Sequence, residues 1–294
     1  MPALMQEGRA KVNLTLRVVG RRVDGFHDLE SVVAFADCAD RLSLTPGSEL
    51  NLTTTGPLAQ ACGETAENLV FKAAQLLRER VPDLALGDFI LDKVLPVAAG
   101  IGGGSADAAA ALRLLALANG LELDDPRLVE VARQTGADVP VCLASNACVM
   151  TGVGETLTPL SLPKMPCVMV NPRIPVATSD VFKALGLRNG QLLVGFTDVL
   201  RARAWPEAGA SLEDWVEALA AGSNDLEAPA TRIQPVIGEV IAALNATNGA
   251  WLARMSGSGA TCFALYENTA DAKRAAQKIQ LDHPGWWVHA GVLS

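Results

Sequence analysis

An excess of basic charge is missing: 24 Lys plus Arg stand against 32 Asp plus Glu in 294 residues, a formal net charge of −8. No basic run is longer than pairs such as Arg21 and Arg22, so nucleic acid is not an expected partner. Any anion bound by this chain must be held locally, by backbone N–H groups and a few placed cations, because the overall field repels it. Long apolar runs are missing too. The charge-free stretch from residue 139 to 154 is interrupted by Pro140, Ser145 and Asn146, so no membrane span or membrane partner is expected. The opening MPALMQEGRAK carries Glu7, Arg9 and Lys11 with no apolar run between them. Neither a signal nor a transit peptide is therefore expected, and the cytoplasm is the expected location. Histidine is scarce: His27, His283 and His289 lack metal-pair spacing, which argues against a zinc site. The six cysteines show no C-x-x-C spacing and read as buried, reduced thiols. Apolar residues are plentiful. They make up 50% of the chain, charged residues only 19%, and mean hydropathy is +0.25, enough to bury cores that offset ordering entropy. At roughly 150 residues per domain the length implies about two domains.

Val12, Leu14, Leu16 and Val18 alternate with Lys11, Asn13, Thr15 and Arg17, the period of a strand with one buried face. Lys11 and Asn13 then point the same way. A turn-rich stretch from Gly20 to Gly25 leads to an apolar segment, Leu29 to Ala36, predicting a hairpin-like pair whose loop presents Phe26 and His27. Glu67 to Arg80 reads as a helix stopped before Pro82. Phe89 to Val97 reads as a strand running into Ala98-Ala99-Gly100-Ile101-Gly102-Gly103-Gly104-Ser105, followed by a helix from Ala106 to Ala118. Arg127 to Thr135 is a helix with Asp125 and Pro126 at its start and Gly136 past its end. Strands are expected at 147 to 150 and 166 to 170. From the latter the order is strand, helical pieces ending at 234 to 244, strands 250 to 254 and 261 to 266, helix 270 to 280 and strand 286 to 292. That is β-α-β-β-α-β, a ferredoxin-like unit, with a boundary near residue 155. Gly186 to Gly195 and Arg203 to Ser211 read as exposed loops.

The glycine-rich loop lies between a strand and a helix, where missing Cβ atoms let a ligand approach the backbone and a helix N-terminus offers unpaired N–H donors. A phosphate group suits it. The structural alternative is a tight connection with Ser105 as helix cap and Asp107 in the first turn. No G-x-x-x-x-G-K-[ST] string occurs, which removes the Walker-A class. A dinucleotide fingerprint needs glycine or alanine where Ser105 stands, and residues 121 to 123 are too short for the next strand of that fold.

PVAAGIGGGSADAAAAL, from Pro96 to Leu112, resembles the P-G-x-G-L-G-S-S-A-type motif of the GHMP kinases. Further strings resemble this family in its own order: Ala10-Lys11-Val12-Asn13-Leu14, GRRVDGFHDLES from Gly20, GADVP from Gly136, GVGE from Gly152, and SGSGATCFALY from Ser256. They resemble most the branch whose acceptor is a cytidine diphosphate-linked methylerythritol of the non-mevalonate isoprenoid route. The resemblance implies a two-domain α+β GHMP-kinase-like fold. Residues 1–155 would form an ATP-binding N-terminal domain of the ribosomal-protein-S5-domain-2-like type, and residues 156–294 a ferredoxin-like C-terminal domain. It also implies ATP and Mg²⁺, a small-molecule polyol substrate, transfer to its 2-hydroxyl, and a monomer or weak homodimer.

Residue by residue, the resemblance makes Asp138 the general base, where the bare sequence leaves it equally a helix cap. Lys11, alone a solvated lysine on a strand face, would sit beside Asp138, keep it ionised and assist transfer. Asn13 could hydrogen-bond the substrate, or be a polar residue of a half-exposed strand. Phe26 and His27 suit stacking on and hydrogen-bonding to cytosine, or packing on their own domain. The family commonly has tyrosine at the Phe26 position, so a phenolic hydrogen bond is lost here. Phe182 would close the other side of the base with Thr178 nearby; as a bare helix residue it is core. Gly257 and Ser258 belong to a second donor-rich turn near the substrate, or to an ordinary hairpin connection. For ATP the resemblance implies Asn68 and Lys93 at the adenosine and Pro96, Ala98, Ala99, Gly100, Ile101, Gly102, Gly103, Gly104, Ser105 and Ala106 around the phosphates. No protein metal ligand is expected. Two rival functions share these residues: a GHMP kinase acting on a homoserine- or mevalonate-type alcohol, and a non-catalytic ATP-binding sensor, against which the presence of both Lys11 and Asp138 argues.

Overall fold

The computed structural model describes residues 3–193 and 204–294. Their packing forms two compact units. One takes the described residues of Met1–Lys11, Cys38–Val97 and Gly102–Ser145, and the other those of Val12–Asp37, Ala98–Ile101 and Asn146–Ser294. These units follow packing and not a single cut in the sequence, so the chain passes between them several times. Strands β1 (Leu4–Asn13) and β3 (His27–Gly47) each contribute residues to both.

In the first unit β5 (Leu86–Asp92) lies between β4 (Leu50–Thr55), which it pairs in parallel, and the end of β3, which it pairs antiparallel with Leu44 opposite Phe89. Four helices complete it: α1 (Leu69–Arg80), α2 (Gly103–Asn119), α3 (Pro126–Thr135) and α4 (Val139–Ala144). Helix α2 is alanine-rich because it is buried on most sides; Ala108, Ala109, Ala110 and Ala111 are fully enclosed, and small side chains let α1 and α4 pack closely. Helix α1 starts at Leu69, where the Asn68 side chain accepts the Val70 N–H at 2.9 Å, so the expected start at Glu67 falls on a short 3-10 turn. The strand expected over 89–97 stops at Asp92, because side-chain anchoring takes over from the sheet. Helix α2 begins earlier than expected, with Gly102 at its N-cap. Ser105 is therefore no cap and Asp107 lies beyond the first turn.

In the second unit β2 (Arg17–Arg21) and the start of β3 form the expected hairpin, with Val18 opposite Leu29. Strand β6 (Cys148–Gly152) pairs β3 and then β7 (Thr156–Pro159). The alternation over residues 11–18 is not one half-exposed strand. It breaks after Asn13, and its polar members are buried as well: Lys11, Asn13 and Thr15 are 3%, 1% and 6% exposed. Internal partners make this tolerable; the Thr15 hydroxyl accepts the Val32 N–H and its carbonyl accepts the Ser31 hydroxyl.

The ferredoxin-like order is present. It comprises β8 (Met165–Asn171), α5 (Thr178–Ala184), α6 (Leu212–Ala220), α7 (Glu227–Ile233), α8 (Val236–Asn245), β9 (Ala250–Met255), β10 (Cys262–Tyr266), α9 (Thr269–Asp282) and β11 (Trp287–Leu293). The strands run β11-β8-β10-β9, every neighbour antiparallel, over a core that includes Val168, Val170, Ile237, Val240, Met255 and Ile279. Of the two expected loops, residues 194, 195 and 203 lie outside the described residues. The rest of both is turn and irregular chain apart from a bridge between Leu192 and Gly20; Leu192 and Leu193 are exposed, but Leu187 is buried in the core. Among the described residues no helix is long and apolar enough to cross a membrane.

Arg254 on β9 ties this unit together. Its guanidinium, 7% exposed in all, donates to the carbonyls of Leu14, Leu219 and Gly222. Arg254→Ala leaves these acceptors buried and unmatched and is expected to destabilise the fold by about 3 kcal/mol in urea denaturation.

Candidate active site

The glycine loop leads directly into α2. The first amide to find a helical carbonyl is Ala106 N, on Gly102 O at 2.8 Å, and no side chain caps the amides of Gly103, Gly104 and Ser105 before it. They form a donor cluster at the positive end of a 17-residue helix whose first turn holds no acid. Gly102 has φ +63°, and a Cβ there would lie 3.2 Å from Lys11 Cε, which places the lysine stem against the loop. At Gly100, φ +74°, a Cβ would lie 2.5 Å from Ser256 O and 2.7 Å from Gly259 N, so here the loop backbone and the 256–259 turn touch. The Ser256 hydroxyl donates to Gly100 O and accepts the Asn13 N–H, both at 3.0 Å, and Thr261 N donates to Ala99 O. Pro96, Ala99, Ile101 and Ala106 are buried, whereas Ala98 is exposed with φ +51°.

Lys11 and Asp138 meet in the first unit. Lys11 Nζ lies 3.0 Å from Asp138 Oδ2, with the lysine side chain 4% exposed and the aspartate 35%. Both alternative readings thereby fail. The lysine is not solvated, and Asp138, although at the N-cap position of α4, makes no capping bond and turns to the ammonium instead. Cys142, in the same helix, is buried, and burial pushes its thiol far up, so it stays protonated beside the pair.

Asn68 and Lys93 have structural partners. Asn68 caps α1, and the Lys93 ammonium, 3% exposed, is gripped by Asp40 at 2.5 Å and Asp107 at 2.6 Å. Neither carboxylate carried a sequence signal. Asp40 stands in a plain strand, and Asp107 reads as a helix-start acid.

In the second unit the Asn13 amide donates to the Ser31 hydroxyl at 2.7 Å. The His27 and Phe182 rings stack, centroids 4.5 Å apart and 29° between planes. Phe26 stays out of this pair; it is 57% exposed with no ring contact among the described residues. Burial, and then the charge of Arg21, lower the His27 pKa, and its Nε2 is enclosed with no hydrogen-bond partner among the described residues. Thr178 and Ser258 share a hydroxyl hydrogen bond at 2.8 Å. Asn224, which the sequence did not single out, donates to Met255 O and Gly257 O and holds the turn. Arg22 bridges Asp28 and Glu155, fixing the hairpin against the GVGE segment.

Among the described residues no group of three or more His, Cys, Asp or Glu side chains is placed to hold a metal ion. The donors present, the Ser105 hydroxyl and the Asp138 carboxylate, fit a cation that arrives on phosphate oxygens better than an all-protein cage.

An amide cradle at a helix start with an acid–ammonium pair beside it is what a small-molecule phosphotransferase requires. The sequence matches the GHMP kinases N terminal domain over residues 68–146 and the GHMP kinases C terminal domain over 207–283. The chain belongs to the GHMP kinase family. It is 75% identical, over all of this chain and 99% of the relative, to the 4-diphosphocytidyl-2-C-methyl-D-erythritol kinase of Bradyrhizobium diazoefficiens. A Rhodopseudomonas palustris protein of that name is 72% identical, covering 99% of this chain and 97% of the relative. A crystal structure of 4-(cytidine 5'-diphospho)-2C-methyl-D-erythritol kinase aligns with TM-score 0.76 and 35% identity, covering 99% of each chain. Homoserine kinase from Cytophaga hutchinsonii, at 17% identity and TM-score 0.71 over 100% of this chain and 95% of that one, shares the fold.

Two outcomes follow from the geometry. Gly100→Ala meets both a left-handed φ and the Ser256 carbonyl, and is expected to destabilise the fold by more than about 1 kcal/mol, read as a clearly lowered thermal midpoint. For His27 the folded ring resists protonation more than the unfolded one. As pH falls below about 6.5 the unfolded chain takes up the proton first, so stability is lost on acidification. Denaturant midpoints measured from about pH 7.5 down to about 5.5 should fall less steeply in His27→Gln.

Proposed function

We propose that this chain transfers the γ-phosphoryl group of ATP to the 2-hydroxyl of 4-diphosphocytidyl-2-C-methyl-D-erythritol. The observation that carries the reading is the 3.0 Å Lys11–Asp138 pair with its lysine stem against Gly102, at the mouth of the amide cradle. The acceptor rests on the high identity to relatives of that name.

The residues divide by unit. In the first, the amides of Gly102, Gly103, Gly104, Ser105 and Ala106 receive the triphosphate, with Pro96 shaping the approach and Asn68 and Lys93 behind it. Ala98, Ala99, Gly100 and Ile101, which belong to the second unit, precede these amides in the loop. In the second, the cytosine ring stacks beside the His27–Phe182 pair, with His27 supplying a hydrogen bond and Phe26 an apolar face. Asn13, Thr178, Gly257 and Ser258 supply polar contacts to the rest of the acceptor. The boundary at 155/156 belongs to this proposal as the division between the N-terminal and C-terminal family domains.

Transfer is in line. The 2-hydroxyl oxygen forms a bond to the γ-phosphorus as the bond to the β-bridging oxygen breaks and ADP departs. Asp138 accepts the hydroxyl proton, and Lys11 orients that carboxylate while offsetting charge on the moving group. The Ser105 hydroxyl would be available to a phosphate oxygen or to a Mg²⁺ ion arriving with the nucleotide, which would supply charge neutralisation. The protein acts in the cytoplasm, as a monomer or weak homodimer.

Asp138→Asn keeps the shape of the side chain and removes its basicity. Turnover is expected to fall by about a hundredfold or more with ATP affinity nearly unchanged. A coupled ADP-release assay with the cytidylated methylerythritol, set against homoserine and mevalonate, checks the reaction. Equal rates on all three, or none on the first, overturn the acceptor assignment.

A further inference from the structure

The buried Asp40–Lys93–Asp107 cluster goes beyond packing. Asp40, fully buried on β3, accepts the N–H groups of Val94 and Leu95 with Oδ1, at 2.7 and 2.8 Å, and the Lys93 ammonium with Oδ2, at 2.5 Å. One carboxylate therefore fixes three consecutive residues just past the end of β5. The main chain of Lys93 is held as well, its N–H by Thr55 O and its carbonyl by the Leu58 N–H. The same ammonium reaches Asp107 Oδ2 on α2 at 2.6 Å. Both ends of the phosphate loop, before Pro96 and after Gly104, are thus tied to a single nitrogen. A Cβ on Gly103 would lie 3.4 Å from that nitrogen, so the ammonium lies against the Gly103 backbone.

The charges do not cancel. Two carboxylates face one ammonium, all three residues 3% exposed or less, and Asp107 Oδ1 has no hydrogen-bond partner among the described residues. Lys93 is what holds the acids together. Without it two buried acids would face each other with no cation between them. Burial and the neighbouring Asp40 favour the protonated form of Asp107, while Lys93 opposes this.

We propose that Asp40, Lys93 and Asp107 form a clamp that sets the spacing of the cradle amides, making Lys93 a positioning residue for the triphosphate instead of a contact to adenosine. The proposal rests on the kinase reading above, because it takes the cradle to bind a triphosphate. Loop amides displaced by even about 1 Å lose much of their grip on the phosphate oxygens.

The test separates the two ends of the nucleotide. Binding of inorganic triphosphate, of adenosine and of ATP is measured by calorimetry on the full chain and on Lys93→Met. The expected result is a loss of about tenfold or more for triphosphate and ATP with adenosine unchanged, and a raised KM for ATP while kcat changes less than about threefold. Loss of adenosine affinity with triphosphate unchanged overturns the proposal and restores an adenosine contact. A lower thermal midpoint with all three affinities unchanged also overturns it, leaving a purely structural role. If Lys93→Met fails to fold, Asp107→Asn, which keeps volume and an acceptor but weakens the pairing, should cost about threefold in triphosphate affinity alone. No change there overturns the clamp. The kinase reading fails separately, by absence of ADP release with every alcohol while the Lys93→Met effect on triphosphate persists.

Discussion

A lysine ammonium withdrawn from water must meet a carboxylate, and two such encounters organise the first unit. Lys11 draws the end of β1 to the start of α4, and Lys93 draws β3, the segment after β5 and α2 to one point. Neither pair is a surface ornament worth a few tenths of a kcal/mol, since four of the five side chains are 4% exposed or less, Asp40 fully enclosed among them. The pairs differ in openness, and that difference sorts their chemistry. Asp138 retains 35% exposure and can meet a substrate hydroxyl, whereas Asp40 and Asp107 cannot.

The second unit positions its turn and strands through neutral hydrogen-bonding side chains and one buried guanidinium. The Ser256 hydroxyl, the Asn224 amide and the Asn13–Ser31 contact hold the 256–259 turn and the strand beside it, with Arg254 gathering carbonyls below. Hydrogen bonds of this kind fix orientation.

Periodicity and terminal signals exposed much of the fold. The order of α1, α2 and α3 and the whole β-α-β-β-α-β series could be read because apolar spacing, capping residues and glycines mark those elements locally. The first strand misled. Alternation predicts one buried face, yet Lys11, Asn13 and Thr15 are buried through partners far along the chain, which no local pattern encodes. The Ser105 cap failed for a related reason, since Gly102 can enter the left-handed region and start the helix earlier. For the site, the motifs named Lys11 and Asp138, and the structure brings those two together. Asp40, Asp107, Asn224 and Ser256 stayed hidden because their roles exist only once distant backbone groups need partners.

The 21-residue strand β3 has an effect on how the protein is made. Its first half belongs to the second unit, where Ala36 pairs with Leu293 and Phe35 exchanges backbone hydrogen bonds with Ser294. Translation delivers that half-strand well before its β11 neighbour, so the unit cannot close on the ribosome until β11 has emerged. During that interval the nascent chain carries an unsatisfied strand edge, open to pairing with neighbouring polypeptides. A gene split near residue 155 would make that interval permanent, leaving the downstream fragment without its cover and the upstream one without its seam.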